Sequence, residues 1–131
     1  MAYSTVFIRQ IVQTLQDDDF AVILHNCGNT GQCTQAMVES GAAALHFGNA
    51  IDMVSALQEC PSSLLVMGNI DPVGIMKQAS PEVVRKETLA LLEATASCRN
   101  FVLSTGCDVP PQVSQENIAA FFQALDEFNS L

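Results

Sequence analysis

Tryptophan is absent from this 131-residue chain, tyrosine occurs once, and lysine and arginine together number five. So few amphipathic aromatics argue against a base-stacking platform or a paratope-like surface. Five cations against fourteen acids, a formal charge of −9, argue against nucleic acid, whose phosphates need clustered Lys and Arg. Those cations, Arg9, Lys77, Arg85, Lys86 and Arg99, are scattered. No stretch approaches the ~20 apolar residues of a membrane span, and Met1-Ala-Tyr-Ser4 lacks the basic and apolar regions of a secretory signal. An odd count of five cysteines with no sign of export points to reduced thiols and a cytoplasmic chain without a membrane partner. What the sequence does have is apolar content: 49% hydrophobic and 15% charged. Residues 1–131 therefore read as one ordered domain with a core of its own.

Helix and strand patterns alternate at short spacing. Phe7, Ile8, Ile11, Val12 and Leu15 mark one helical face over Val6–Leu15. Asp17-Asp-Asp19 is a solvated turn, and Phe20–Leu24 reads as a short buried strand. Thr30–Ser40 predicts a helix closed by Gly41, Ala42–Phe47 a strand, Ile51–Leu57 a helix with Asp52 as cap, and Ser63–Met67 a strand. Gly68-Asn69 is expected to fix a turn. Asp71-Pro72 signals a helix start, and Ser80-Pro81-Glu82 another, ahead of a helix to about Ser97. Asn100–Ser104 is a fourth strand. Ser114 then caps a final helix with Ile118, Phe121, Phe122, Leu125 and Phe128 on the 3.6 period.

Apolar strands separated by helices, with no hairpin signal, give an α/β fold with a parallel sheet. Four such units fit an open doubly wound sheet or half of an eight-stranded barrel of roughly 250 residues. Under either, the carboxyl ends of the strands gather the chemistry. His25 and Cys27 follow the first strand, His46 ends the second, Gly68-Asn69 follows the third and Cys107 the fourth. One imidazole and two thiolates form a borderline-soft N/S₂ set that suits zinc and leaves a fourth position open for substrate.

His25-Asn-Cys-Gly28, Gly68-Asn-Ile-Asp-Pro72 and Ser104-Thr-Gly-Cys-Asp-Val-Pro110 with Gln115-Glu-Asn-Ile118 resemble the uroporphyrinogen decarboxylase superfamily. Within it they look most like the zinc-dependent methylcobamide:coenzyme M methyltransferases. The resemblance implies the C-terminal half of a (β/α)₈ barrel, with His25, Cys27 and Cys107 as zinc ligands. It also implies transfer of a methyl group from a methyl-corrinoid to a zinc-activated thiol. Asn69 and His46 are, from their strand-end positions, candidates for touching substrate, with a hydrogen-bonded strand-end histidine as the preferred alternative for His46. Implied partners are a small thiol, a corrinoid protein, and a second copy or a separate N-terminal half that completes the barrel. The porphyrin-forming decarboxylase branch is the enzyme alternative. It typically has histidine where Cys107 stands and needs arginines for a many-carboxylate substrate. A truncated module that binds metal or a partner without turnover is the non-enzyme alternative.

Duller readings stand beside these. His25, Cys27 and Cys107 could be core side chains, since free Cys is among the most buried residue types. Cys33, Cys60 and Cys98 read as structural, although Cys33 is near enough to Cys27 in sequence to join a site. Asp71 reads as a cap. Asp108 could support the site from behind its ligands.

Overall fold

The computed structural model describes residues 2–28 and 33–130. Its elements alternate as expected: α1 (Ala2–Leu15), β1 (Ile23–Asn26), α2 (Thr34–Val38), β2 (Ala44–Phe47), α3 (Met53–Glu59), β3 (Leu65–Ile70), α4 (Pro81–Thr95), β4 (Phe101–Thr105) and α5 (Gln115–Asn129). The strands form one sheet in the order β1-β2-β3-β4, and every pair is parallel. Sequential strands side by side, each returned by a helix, are the repeating unit of a βα barrel wall.

Side chains alternate across the sheet. Leu45, Phe47, Val66 and Ile70 point to the helix side and are buried. There Leu45, Phe47 and Val66 meet Val12 of α1, Met37 of α2, and Met53, Ala56 and Leu57 of α3. A second cluster, Ile70, Met76, Val84, Ala120 and Phe121, seats α4 and α5. Burying each of the larger side chains among these is worth about 1.5–3 kcal/mol.

Several boundaries differ from those the sequence suggests. The first strand begins at Ile23 rather than Phe20. The backbone before it is already occupied: Asp17 Oδ1 accepts from the amides of Asp19 and Phe20 (both 2.9 Å), and Gln16 Oε1 accepts from Val22 N (3.1 Å). Gly68 and Asn69 lie inside β3, not in a turn, because pairing with β4 continues through Gly68↔Leu103, Asn69↔Ser104 and Ile70↔Thr105. Asp71 does act as a cap, its Oδ1 accepting from Val73 N (2.8 Å) and Gly74 N (2.9 Å). Yet residues 72–79 form successive turns instead of a helix, since Ile75 N and Met76 N both donate to the Asp71 carbonyl. The second expected helix shortens to Thr34–Val38, and residues 30–32 of that expectation lie outside the described ones.

The apolar face expected of α1 splits. Val12 is buried and Ile8 packs against the core, while Phe7, Ile11 and Leu15 are exposed. The caps fall where expected: Asp52 Oδ1 accepts from Ser55 N (2.8 Å), and Ser114 Oγ accepts from Asn117 N (3.1 Å). Among the described residues, no helix is long and apolar enough to cross a membrane.

Candidate metal centre

β1 and the loop after β4 bring residues from opposite edges of the sheet together. His25, the third residue of β1, is exposed, and Cys27 follows that strand directly. Cys107 sits two positions beyond β4. His25 Nε2 lies 2.8 Å from Cys27 Sγ, and Cys27 Sγ lies 3.3 Å from Cys107 Sγ. All three donor atoms fall within 4.8 Å of one another, so the group could hold a metal ion. Zinc at about 2.3 Å from each sulfur would set tetrahedral thiolates about 3.8 Å apart. The sulfurs at 3.3 Å and the Nε2–Sγ pair at 2.8 Å both stand closer than that geometry asks, so these exposed or half-exposed side chains fit the ion in chemistry and reach its spacing by opening roughly 0.5–0.8 Å.

Two glycines make the convergence possible. A Cβ on Gly106 would stand 2.4 Å from the amide nitrogen of Asn49, and one on Gly48 would stand 3.1 Å from Gly28 N and 3.3 Å from Cys27 Cα. The loop after β2 can therefore lie against both cysteine-bearing loops only because neither position carries a side chain. Gly48 N also donates to the Asn26 carbonyl (3.1 Å), and Gly106 N to the Ile70 carbonyl (2.8 Å). Sequence reasoning missed both glycines. The signal was present in Gly48 and Gly106 each following a strand end, where close backbone approach is common.

The Cys27 thiol is raised above the ordinary cysteine range. Its hydrogen bond with Cys107 is the largest cause, followed by desolvation, the charge on Cys107 and the charge on Asp108. A thiol pair this close resists double ionisation unless a cation lies between the sulfurs. Asp108 itself is exposed and acts on the site only through its charge.

The other candidates have definite partners. Asn69 Nδ2 donates to the carbonyls of Gly48 (3.0 Å) and Ile51 (2.6 Å), so this amide nitrogen tethers the loop after β2. His46 Nε2 lies 2.7 Å from the Thr105 carbonyl, and its ring centroid is 4.7 Å from that of His25. Cys33 precedes α2, Cys60 is buried behind α3, and Cys98 packs at the edge of the core. None of the three belongs to the His25/Cys27/Cys107 group.

A barrel-wall fold with an N/S₂ group at its strand ends defines a class, and comparison with known proteins gives the family. The model of the uroporphyrinogen decarboxylase (URO-D) family matches residues 1–128, and the chain belongs to that family. It is 27% identical over 116 residues to a methylcobamide:CoM methyltransferase of Methanosarcina mazei, covering 88% of this chain and 33% of the relative. It is 32% identical over 99 residues to a uroporphyrinogen decarboxylase of Methylococcus capsulatus, covering 76% and 28%. A solved methyltransferase from Methanosarcina mazei shares the fold, with a TM-score of 0.84 at 20% identity over 97% of this chain and 36% of its own. The four strands and their helices thus match part of a TIM-type barrel, and the chain spans about a third of the length of the curated relatives it matches.

Proposed function

We propose that this chain carries the metal centre of a zinc-dependent methyltransferase of the uroporphyrinogen decarboxylase family, which moves a methyl group from a methyl-corrinoid to a thiol. The carrying observation is that His25, Cys27 and Cys107, one N and two S donors from opposite sheet edges, meet within 4.8 Å. When bound, zinc supplies Lewis acidity that lowers the pKa of a thiol entering its open position. His25 offers Nε2, and Cys27 and Cys107 offer two thiolates whose charge balances a divalent ion. Because the Cys27 thiol is raised, metal uptake must release its proton, so zinc affinity falls as pH falls. Asn69 keeps the loop after β2 against the site through its two carbonyl contacts.

The similar identity to decarboxylases favours a second reading, porphyrinogen decarboxylation. A substrate with many carboxylates needs cationic partners, and none of the four strands carries Arg or Lys. The methyltransferase reading is the one that gives the His25/Cys27/Cys107 group a role.

The chain spans about a third of its relatives' length, and we propose a corrinoid protein and a small thiol as the reaction partners of the metal centre. The test is elemental analysis of protein purified under reducing conditions. About one zinc per chain, lost in Cys107→Ala, is expected for a three-ligand site. A zinc-free protein that stays so after reconstitution removes the methyltransferase reading.

A further inference from the structure

We propose that His46 is the positioning residue of the metal centre, bracing the ligand on β1 with its ring and the ligand beyond β4 with its ring-tip nitrogen; this rests on the metal-centre reading above. In register, His46 of β2 is the direct partner of His25 of β1, so both rings stand on the same face of the sheet. Their centroids are 4.7 Å apart with planes inclined at 38°. This contact limits rotation of the His25 ring and fixes where its Nε2 points.

The far end of His46 reaches across β3. A carbonyl can only accept, so Nε2–H donates to the Thr105 carbonyl, 2.7 Å away on β4. Thr105 Oγ1 in turn donates to the Cys107 carbonyl at 2.8 Å. One side chain therefore joins the imidazole of the first ligand to the turn that carries the last. No main-chain hydrogen bond joins β1 to β4 directly, because β2 and β3 lie between them. Without His46, the relative placement of Cys27 and Cys107 depends on two intervening strands and on loops.

The requirement is specific to a flat ring with a donor at its tip. Phenylalanine keeps the face contact and loses the hydrogen bond. Glutamine keeps a donor and loses the ring. Partners that orient metal ligands are typically worth about 10–100-fold in metal affinity.

The test uses His46→Ala, His46→Phe and His46→Gln with two readouts. In the first, zinc affinity is measured by chelator competition, alongside the spectrum of the cobalt-substituted protein. In the second, the metal-free protein is equilibrated with oxidised and reduced glutathione. One oxidised glutathione converts the two thiols to a Cys27–Cys107 disulfide and leaves as two reduced glutathiones, with the bond located by peptide mapping. The sulfurs start 3.3 Å apart and close to about 2.05 Å, so this equilibrium reports how well the loops are held, with no metal involved.

Losses of about tenfold or more in both readouts for Ala, with Phe and Gln between Ala and wild type, are expected. Unchanged values in Phe and Gln overturn the proposal, and these two size-preserving variants decide the matter if Ala does not fold. A cobalt spectrum that loses a nitrogen ligand in the variants also overturns it, because His46 would then bind the ion itself. A wild-type protein that takes up no zinc, yet loses disulfide stability in all three variants, removes the methyltransferase reading and leaves the brace standing.

Discussion

On the helix-covered face of the sheet Leu45, Phe47 and Val66 are completely buried, whereas on the opposite face Ile23 is 55% and Leu65 48% exposed. Neighbours in sequence thus meet opposite fates, although both faces are apolar in the manner of strands meant to be buried on two sides. The described residues supply helices for one face and nothing for the other. His25 and His46 stand on that open face, and the metal ligands gather at its rim. The core that holds this chain together and the surface that carries its chemistry are therefore separate, which lets each be damaged without the other.

The largest effect is expected on the covered face. Phe47→Ala opens a cavity in the cluster that also contains Val12, Met53 and Leu57 and costs about 3–5 kcal/mol, a large share of the 5–15 kcal/mol typical of a domain. Urea denaturation measures it. A cost below about 1 kcal/mol would mean that the helices are not seated on the sheet as described.

Gly106→Ala should divide the two properties the other way. The new Cβ meets the Asn49 backbone at 2.4 Å, so one of the two loops must move, and Cys107 is the next residue. Zinc affinity should fall by about tenfold or more, as for other losses of ligand support, while the helix-side core, which Gly106 meets only through its backbone hydrogen bond to Ile70, keeps its packing. Chelator competition and near-UV circular dichroism on the same sample check both halves. An unchanged affinity would show that the Cys107 loop is not held by its contact with the loop after β2.

Much of this division was legible in the sequence. Apolar runs separated by caps gave a parallel α/β chain, and strand-end placement gave His25, Cys27 and Cys107 as one group. The exposure of Phe7, Ile11 and Leu15 was not legible, because periodicity locates an apolar stripe without saying whether this chain covers it. Nor was the tethering by Gln16, whose Oε1 accepts from Val22 N (3.1 Å) and Ala43 N (2.9 Å) and so displaces the start of β1. A polar side chain far from its partners in sequence leaves no local pattern. His46 was visible as a strand-end residue, but its reach to Thr105 depends on register, which spacing alone does not set.

Asp52→Ala should cost about 1 kcal/mol, the usual worth of an N-cap. Its hydrogen bonds to Ser55 hold the Asp52 carboxyl below the ordinary aspartate range. The cap therefore contributes fully above the unfolded-state pKa, and its contribution disappears as pH falls through the lower folded-state value. Urea midpoints of wild type and variant should converge on acidification. A gap that persists in acid would assign the loss to helix propensity or packing instead of the charged cap.

The smallest effect is the one that tests the comparison most directly. If the open face meets only water, Leu65→Ser should cost less than about 1 kcal/mol, because 48% of the leucine is already exposed in the chain by itself. The same substitution should cost more wherever a second copy or a complementing chain covers the sheet, since the apolar area is then removed from water. Urea denaturation repeated across a wide range of protein concentration separates the two situations. A small cost at every concentration leaves the face bare. A cost that grows with concentration means that the strands on either side of His25 and His46 are covered by another molecule, and that the metal centre is finished only in the assembly.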